Sequence, residues 1–165
     1  MFDFLRLDLF DLIFVITAVL FNSCIVGVFI AQKKGRTRLV RTFGAGMLSL
    51  VVPLAVVFVN YWVEERPLWI MVYLGFIFLY ILVEWLLDYV FKIEFRQKLI
   101  THVPYIILEY IALFGFIGIS FAIDRTWGFI VSISFWAVLG SLIYLYWGKK
   151  GRTDKQPSSQ SRGTK

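Results

Sequence analysis

Cysteine and histidine are almost absent: the chain of 165 residues holds one of each, Cys24 and His102. One cysteine excludes an intramolecular disulfide and any cysteine-based metal centre. One histidine excludes haem or zinc centres built from several imidazoles. Charge is also sparse, with Asp, Glu, Lys and Arg at 17% of residues against about 25% in soluble domains. A phosphate-cradling glycine loop, a GxSxG elbow, an HExxH pair and a CxxC pair are all missing. No internal repeat is visible. The net charge of +6 does not mark a nucleic-acid binder. The basic residues lie between apolar runs and in the tail, with no aromatic-basic platform.

Apolar residues are abundant. They form 59% of the chain, aromatics form 19%, and the mean hydropathy is +0.77. Such a composition needs a solvent other than water. Five runs are long enough to cross a bilayer, which takes about 20 apolar residues. They are residues 12–31, 42–63, 67–91, 99–123 and 126–148. Backbone polar groups in lipid must be satisfied internally, so each run is expected to be a helix. The segments are too long, and too little alternating, for a barrel. The expected fold is all-α: a polytopic domain over residues 1–148 with five transmembrane helices, then a polar basic tail, residues 149–165, without fixed structure. An acidic N-terminus (Asp3, Asp8, Asp11) and a long first run predict a retained helix rather than a cleaved signal peptide. No lipidation motif is expected: Phe2 stands where myristoylation needs glycine.

Basic residues set the expected orientation. Fourteen of the seventeen Lys and Arg fall in the segments after runs 1, 3 and 5, and three fall in the alternate segments. The positive-inside rule then places the N-terminus outside and the C-terminus in the cytoplasm, in a cytoplasmic or plasma membrane. Trp62, Trp69 and Trp127 at the outer ends and Trp147 at the inner end suit the interfacial belts. Small residues at four-residue spacing predict close helix packing: Ser23, Gly27 and Ala31, then Ala45 with Ser49, Gly118 with Ala122, and Ala137 with Ser141. Pro53 should kink the second run.

Ionisable groups inside apolar runs are expensive and mark function by default. Glu84 and Asp88 share one face of run 3, which Tyr73, Ile77 and Tyr80 extend. His102, Tyr105 and Glu109 share a face of run 4. The short connection Lys92 to Lys98 folds these runs into an antiparallel hairpin. Asp88 and His102 then lie at one depth near the inner interface, and Glu84 and Glu109 lie deeper, within about 4.5 Å of each other in depth. Two carboxyls in a low dielectric cannot both stay ionised cheaply, so the pair can hold a proton or accept a cation. His102 can pass protons or pair with Asp88. Trp85 and the tyrosines offer faces to an organic cation. The bland alternative is structural: a salt bridge between Asp88 and His102, and neutral acids hydrogen-bonded to tyrosines. Asn22 makes a polar step in run 1. Asn60, Glu64, Glu65 and Arg66 read as a solvated outer loop, and Asp124 with Arg125 as a tight outer turn. The four ionisable groups offer hard oxygens and one imidazole, but their spacing matches no metal motif. Neither a metal nor a cofactor is expected.

The helix number resembles that of the translocator-protein class, but that class's motifs are not matched. A membrane glutamate among aromatics resembles small multidrug transporters, which have four helices and carry the acid in the first. No residue role is therefore carried over. The leading expectation is a protein that binds or translocates protons or cations, with Glu84, Glu109, Asp88, His102, Tyr80 and Tyr105 as the site. The alternatives are a non-catalytic scaffold in a larger membrane complex and, third, a membrane-embedded enzyme acting on a lipid or apolar substrate. Expected partners are the lipid bilayer and a membrane protein or a second copy, not nucleic acid.

Overall fold

A computed structural model describes residues 8–87 and 99–147, with side chains from Pro104 onward in the second stretch. Asp88, the loop from Lys92 to Lys98, the side chain of His102 and the tail, residues 149–165, lie outside the described residues. The described chain is all helical: α1 (Leu9–Lys33), α2 (Thr37–Ser49), α3 (Val51–Val63), α4 (Leu68–Trp85), α5 (Leu99–Ile123) and α6 (Arg125–Tyr146). Helices α2 and α3 together form one span, so five helices are long and apolar enough to cross a membrane. At 1.5 Å per residue, the 25 residues of α1 reach about 37 Å.

The second span starts earlier than the apolar pattern predicts, at Thr37, and takes in Arg38 and Arg41. It breaks at Leu50, three residues before Pro53. Proline has no N–H for the carbonyl of Ser49, so the ladder cannot run through this point. In the third span α4 runs to Trp85, a π-helical turn follows at residues 86–87, and the rest of that run lies outside the described residues. A second proline, Pro104, stands inside α5 immediately before Tyr105.

Two turns end their helices in the same way. After α1, Gly35 takes a positive φ of 65°, Gly35 N–H donates to Gln32 O at 3.1 Å and Arg36 N–H to Ala31 O at 3.0 Å. After α3, Glu65 takes φ 52°, with Glu65 N–H to Trp62 O at 3.3 Å and Arg66 N–H to Tyr61 O at 3.1 Å. Both are Schellman closures, one with glycine and one without.

The spans close into a ring. α1 packs on α6, α6 on α5, α5 on α4, α4 on α3, and α2 with α3 return to α1. A further contact of α1 with α5 fills the centre. The ring has two ends: one carries Asp11 and Arg66, the other carries Lys33 and the last turn of α6. The outer faces are apolar. Ile133 and Trp136 of α6 are each 68% exposed, and Val52, Val56 and Val59 of α3 also point outward. Helices that are apolar on every side need an apolar surround.

The small-residue expectation holds at one ridge only in part. A side chain at Gly27 would meet the Phe43 ring at 2.8 Å, so glycine lets α2 approach α1, and Ala31 is buried beside it. Ser23 points outward and bonds to Val19 O at 2.7 Å instead. Ala45, Ser49, Ala122 and Ala137 also point outward, and nothing among the described residues lies against Gly118, whereas Ser141 is buried. Another close approach is at Gly115 of α5, where a side chain would meet Tyr73 of α4 at 3.2 Å. The four-residue pattern identifies ridges but not the direction in which they face.

Candidate functional site

Period 3.6 places Ile77, Tyr80 and Glu84 on one side of α4, and all three are buried there. Tyr73, expected on the same stripe, is half-exposed against Gly115. On α5 the same period brings Tyr105, Glu109 and Leu113 inward. The two faces meet. The Tyr105 hydroxyl donates to a Glu84 carboxyl oxygen, and the Tyr80 and Tyr105 hydroxyls lie 3.1 Å apart. Glu84 and Glu109 keep only 7% and 9% of their surface. The Tyr105 hydroxyl therefore supports a carboxyl that has left water, and such a hydrogen bond contributes about 1 kcal/mol.

The four side chains line one cavity of about 260 Å³. It runs from Tyr80 and Leu113 in the core to Gln32 and Tyr146, which are exposed at the Lys33 end. Its walls come from α1, α2, α4, α5 and α6, with Ile25, Met47 and Leu145 among the aliphatic groups. In the other direction rings close it. Phe21 packs edge-on to Tyr80 at 5.9 Å, Phe116 on Phe21 at 5.1 Å, Phe14 on Phe116 at 5.7 Å and Tyr61 on Phe14 at 6.4 Å. Phe14, Phe21 and Phe116 are completely buried. Chemically, the cavity offers two acids, tyrosine hydroxyls and rings, the Gln32 amide at its exposed end, and otherwise mainly apolar side chains.

The structure thus gathers four of the six expected site residues: Glu84, Glu109, Tyr80 and Tyr105. The roles expected for Asp88 and for the His102 side chain lie outside the described residues. Trp85 is a correction: it points away from the cavity, half-exposed, because it follows Glu84 by 100° of helix rotation. Among the described residues no group of three His, Cys, Asp or Glu converges tightly enough to hold a metal ion.

Two polar clusters emerge that the sequence did not reveal. At the far end, Asp11 is buried and accepts from Tyr61 Oη at 2.6 Å, with Arg66 Nη2 at 3.5 Å. Arg66 Nε also donates to Glu64 at 2.8 Å and its guanidinium lies 5.0 Å from the Tyr61 ring centre. The hydrogen bond from Arg66 holds the Glu64 carboxyl below its ordinary range. This is no simple solvated loop; the signal was an aspartate immediately before an apolar run, opposite a lone arginine. At the Lys33 end, the Lys33 ammonium caps α6: it donates to Tyr144 O and, at 3.1 Å, to Trp147 O, and sits over the Tyr144 ring. A cation at a helix C-terminus is favourably placed in its dipole.

Asn22 crosses to α6, donating to Ser134 Oγ at 2.6 Å, while its carbonyl oxygen meets no partner among the described residues. Ser132, Ser134 and Ser141 bond to carbonyls of their own helix. Asp124 caps α6, accepting from Thr126 N–H at 2.7 Å, which holds its carboxyl below the ordinary range. Comparison with protein-family models, curated proteins and solved structures gives no match to this chain.

Proposed function

We propose that this is a multi-pass membrane protein, N-terminus outside and C-terminus cytoplasmic, that binds or translocates protons or cations through the Glu84–Glu109 cavity. Five apolar helices with apolar outer faces support the membrane reading. The split of basic residues supports the orientation. One observation carries the site: two carboxyls from different helices are buried in one cavity that reaches the Lys33 end. Burying an ionisable group in a span is costly, and such groups mark ion and proton paths. A proton or cation shared by the pair lowers that cost. In this conformation the Phe21–Phe116 contact closes the cavity toward the Asp11 end, so passage across the membrane requires those rings to part.

The test is proton and cation flux in proteoliposomes, comparing wild type with Glu84→Gln and Glu109→Gln. Flux lost in both variants, with the protein still inserted, supports the reading. Flux retained in both removes the pair from the path.

A scaffold role is the second reading, and the outward-facing Ala137 and Gly140 of α6 favour it. Small residues on an outer face let another helix approach closely. Stable co-purification with a second membrane protein in mild detergent, without flux from the lone chain, would select this reading.

A further inference from the structure

Resting on the reading of the cavity as a cation site, we infer that its ligand is an organic monocation with an apolar body, a substituted ammonium rather than a bare metal ion. The first observation is size. A dry cavity of about 150 Å³ is enough for benzene, and this one is about 260 Å³. A bare ion at Glu84 or Glu109 would fill little of it and leave the aliphatic walls of Ile25, Met47 and Leu145 against water. Apolar walls are satisfied by an apolar body.

The second observation is where the polar groups lie. They belong to α4 and α5, while α1, α2 and α6 supply mainly hydrocarbon. A ligand is therefore oriented, with its charge toward Glu84 and Glu109 and its body toward α1 and α6. The third observation is the rings. Tyr80, Tyr105, Tyr110 and Tyr146 all line the cavity, and a ring face attracts a cation within about 6 Å of its centroid. A quaternary ammonium takes no hydrogen bond, so rings and carboxyls recognise it by charge alone. Entry is from the Lys33 end, past Gln32 and Tyr146, because Phe21 and Phe116 close the other side.

The experiment is isothermal titration of the full chain in detergent with benzyltrimethylammonium, tetramethylammonium and benzyldimethylamine N-oxide. The last is close in shape to the first and carries no net charge. The expected result is saturable binding of benzyltrimethylammonium, at least about tenfold tighter than either of the other two, and weakened by about tenfold or more in Glu84→Gln and Glu109→Gln. Equal affinity for the N-oxide overturns the charge requirement. Equal affinity for tetramethylammonium overturns the apolar body. Both comparisons use the wild-type chain, so they decide even where a glutamine variant does not fold. Proton or alkali-ion flux that depends on Glu84, with no binding or inhibition by benzyltrimethylammonium, overturns this inference and leaves the proposed function standing. Absence of both flux and binding overturns both.

Discussion

The Tyr105 hydroxyl donates to Glu84 across 21 residues of sequence, and that bond joins α4 to α5 inside the cavity. There a phenol meets a buried acid. Tyr105→Phe removes the donor and leaves the carboxyl with one partner fewer. The expected loss is about 1 kcal/mol, in the range found for polar contacts between membrane helices. Tyr80→Phe, one bond further from the acid, should cost less. Denaturation by sodium dodecyl sulfate from mixed micelles measures both, and equal losses would show that Tyr80 supports Glu84 as much as Tyr105 does.

The packed rings of Phe21 and Phe116, tilted by 44°, separate the cavity from the Asp11 end. If passage occurs, Phe21→Ala and Phe116→Ala should raise leak flux in proteoliposomes while lowering stability by about 3–5 kcal/mol, the usual cost of such a truncation. Stability lost without any rise in flux would mean the rings are only core.

Asp11, Tyr61 and Arg66 tie α1 to the α3–α4 turn. Asp11→Ala leaves the Tyr61 hydroxyl buried without its acceptor, for an expected loss of about 1–3 kcal/mol. Tyr61→Phe should cost less than Asp11→Ala, because Arg66 still meets the carboxylate. A double-mutant cycle on the two measures their coupling directly.

Glu65 holds the left-handed position that glycine holds in the equivalent turn after α1. Glu65→Gly should stabilise the protein by up to about 1 kcal/mol, through relief of that backbone conformation. Gly35→Ala should do the opposite. Melting temperatures in detergent check both, and the two shifts should have opposite signs.

The Asp124 carboxyl is held below its ordinary range by the N–H of Thr126. Its folded value is lowered, so its contribution is present above the ordinary carboxylate range and is lost as pH falls through the folded value. Asp124→Asn should keep the cap but remove this part of the acid dependence. Melting curves from neutral to acid pH, compared with wild type, test the sign.

Much of the helix architecture was legible in the sequence, because a span must satisfy its backbone internally and be apolar along its whole length. Leu12 to Ala31 and Leu99 to Ile123 could scarcely form anything else in lipid. The pairing of Glu84 with Tyr105 was half legible. Period 3.6 fixes which residues share a face, and a short connection fixes the depth at which two faces meet. Ends were less legible. Hydropathy stops at the first charge, whereas α2 begins at Thr37 and carries Arg38 and Arg41 within the helix, since backbone hydrogen bonding does not end where apolarity does.

The sequence by itself determined the number of helices long and apolar enough to cross a membrane, the kink before Pro53 and the facial grouping of Tyr80 with Glu84 and of Tyr105 with Glu109. These follow from rules that act within one helix. Only the tertiary structure decided which faces look inward. It turned Ser23, Ala45 and Ala137 outward, seated Gly27 against Phe43, and brought Asp11 to Tyr61 and Lys33 to the end of α6. The physical reason is that rotation of a helix about its axis leaves its own hydrogen bonds unchanged. When both faces are apolar, only the fit of side chains between neighbouring helices selects the angle.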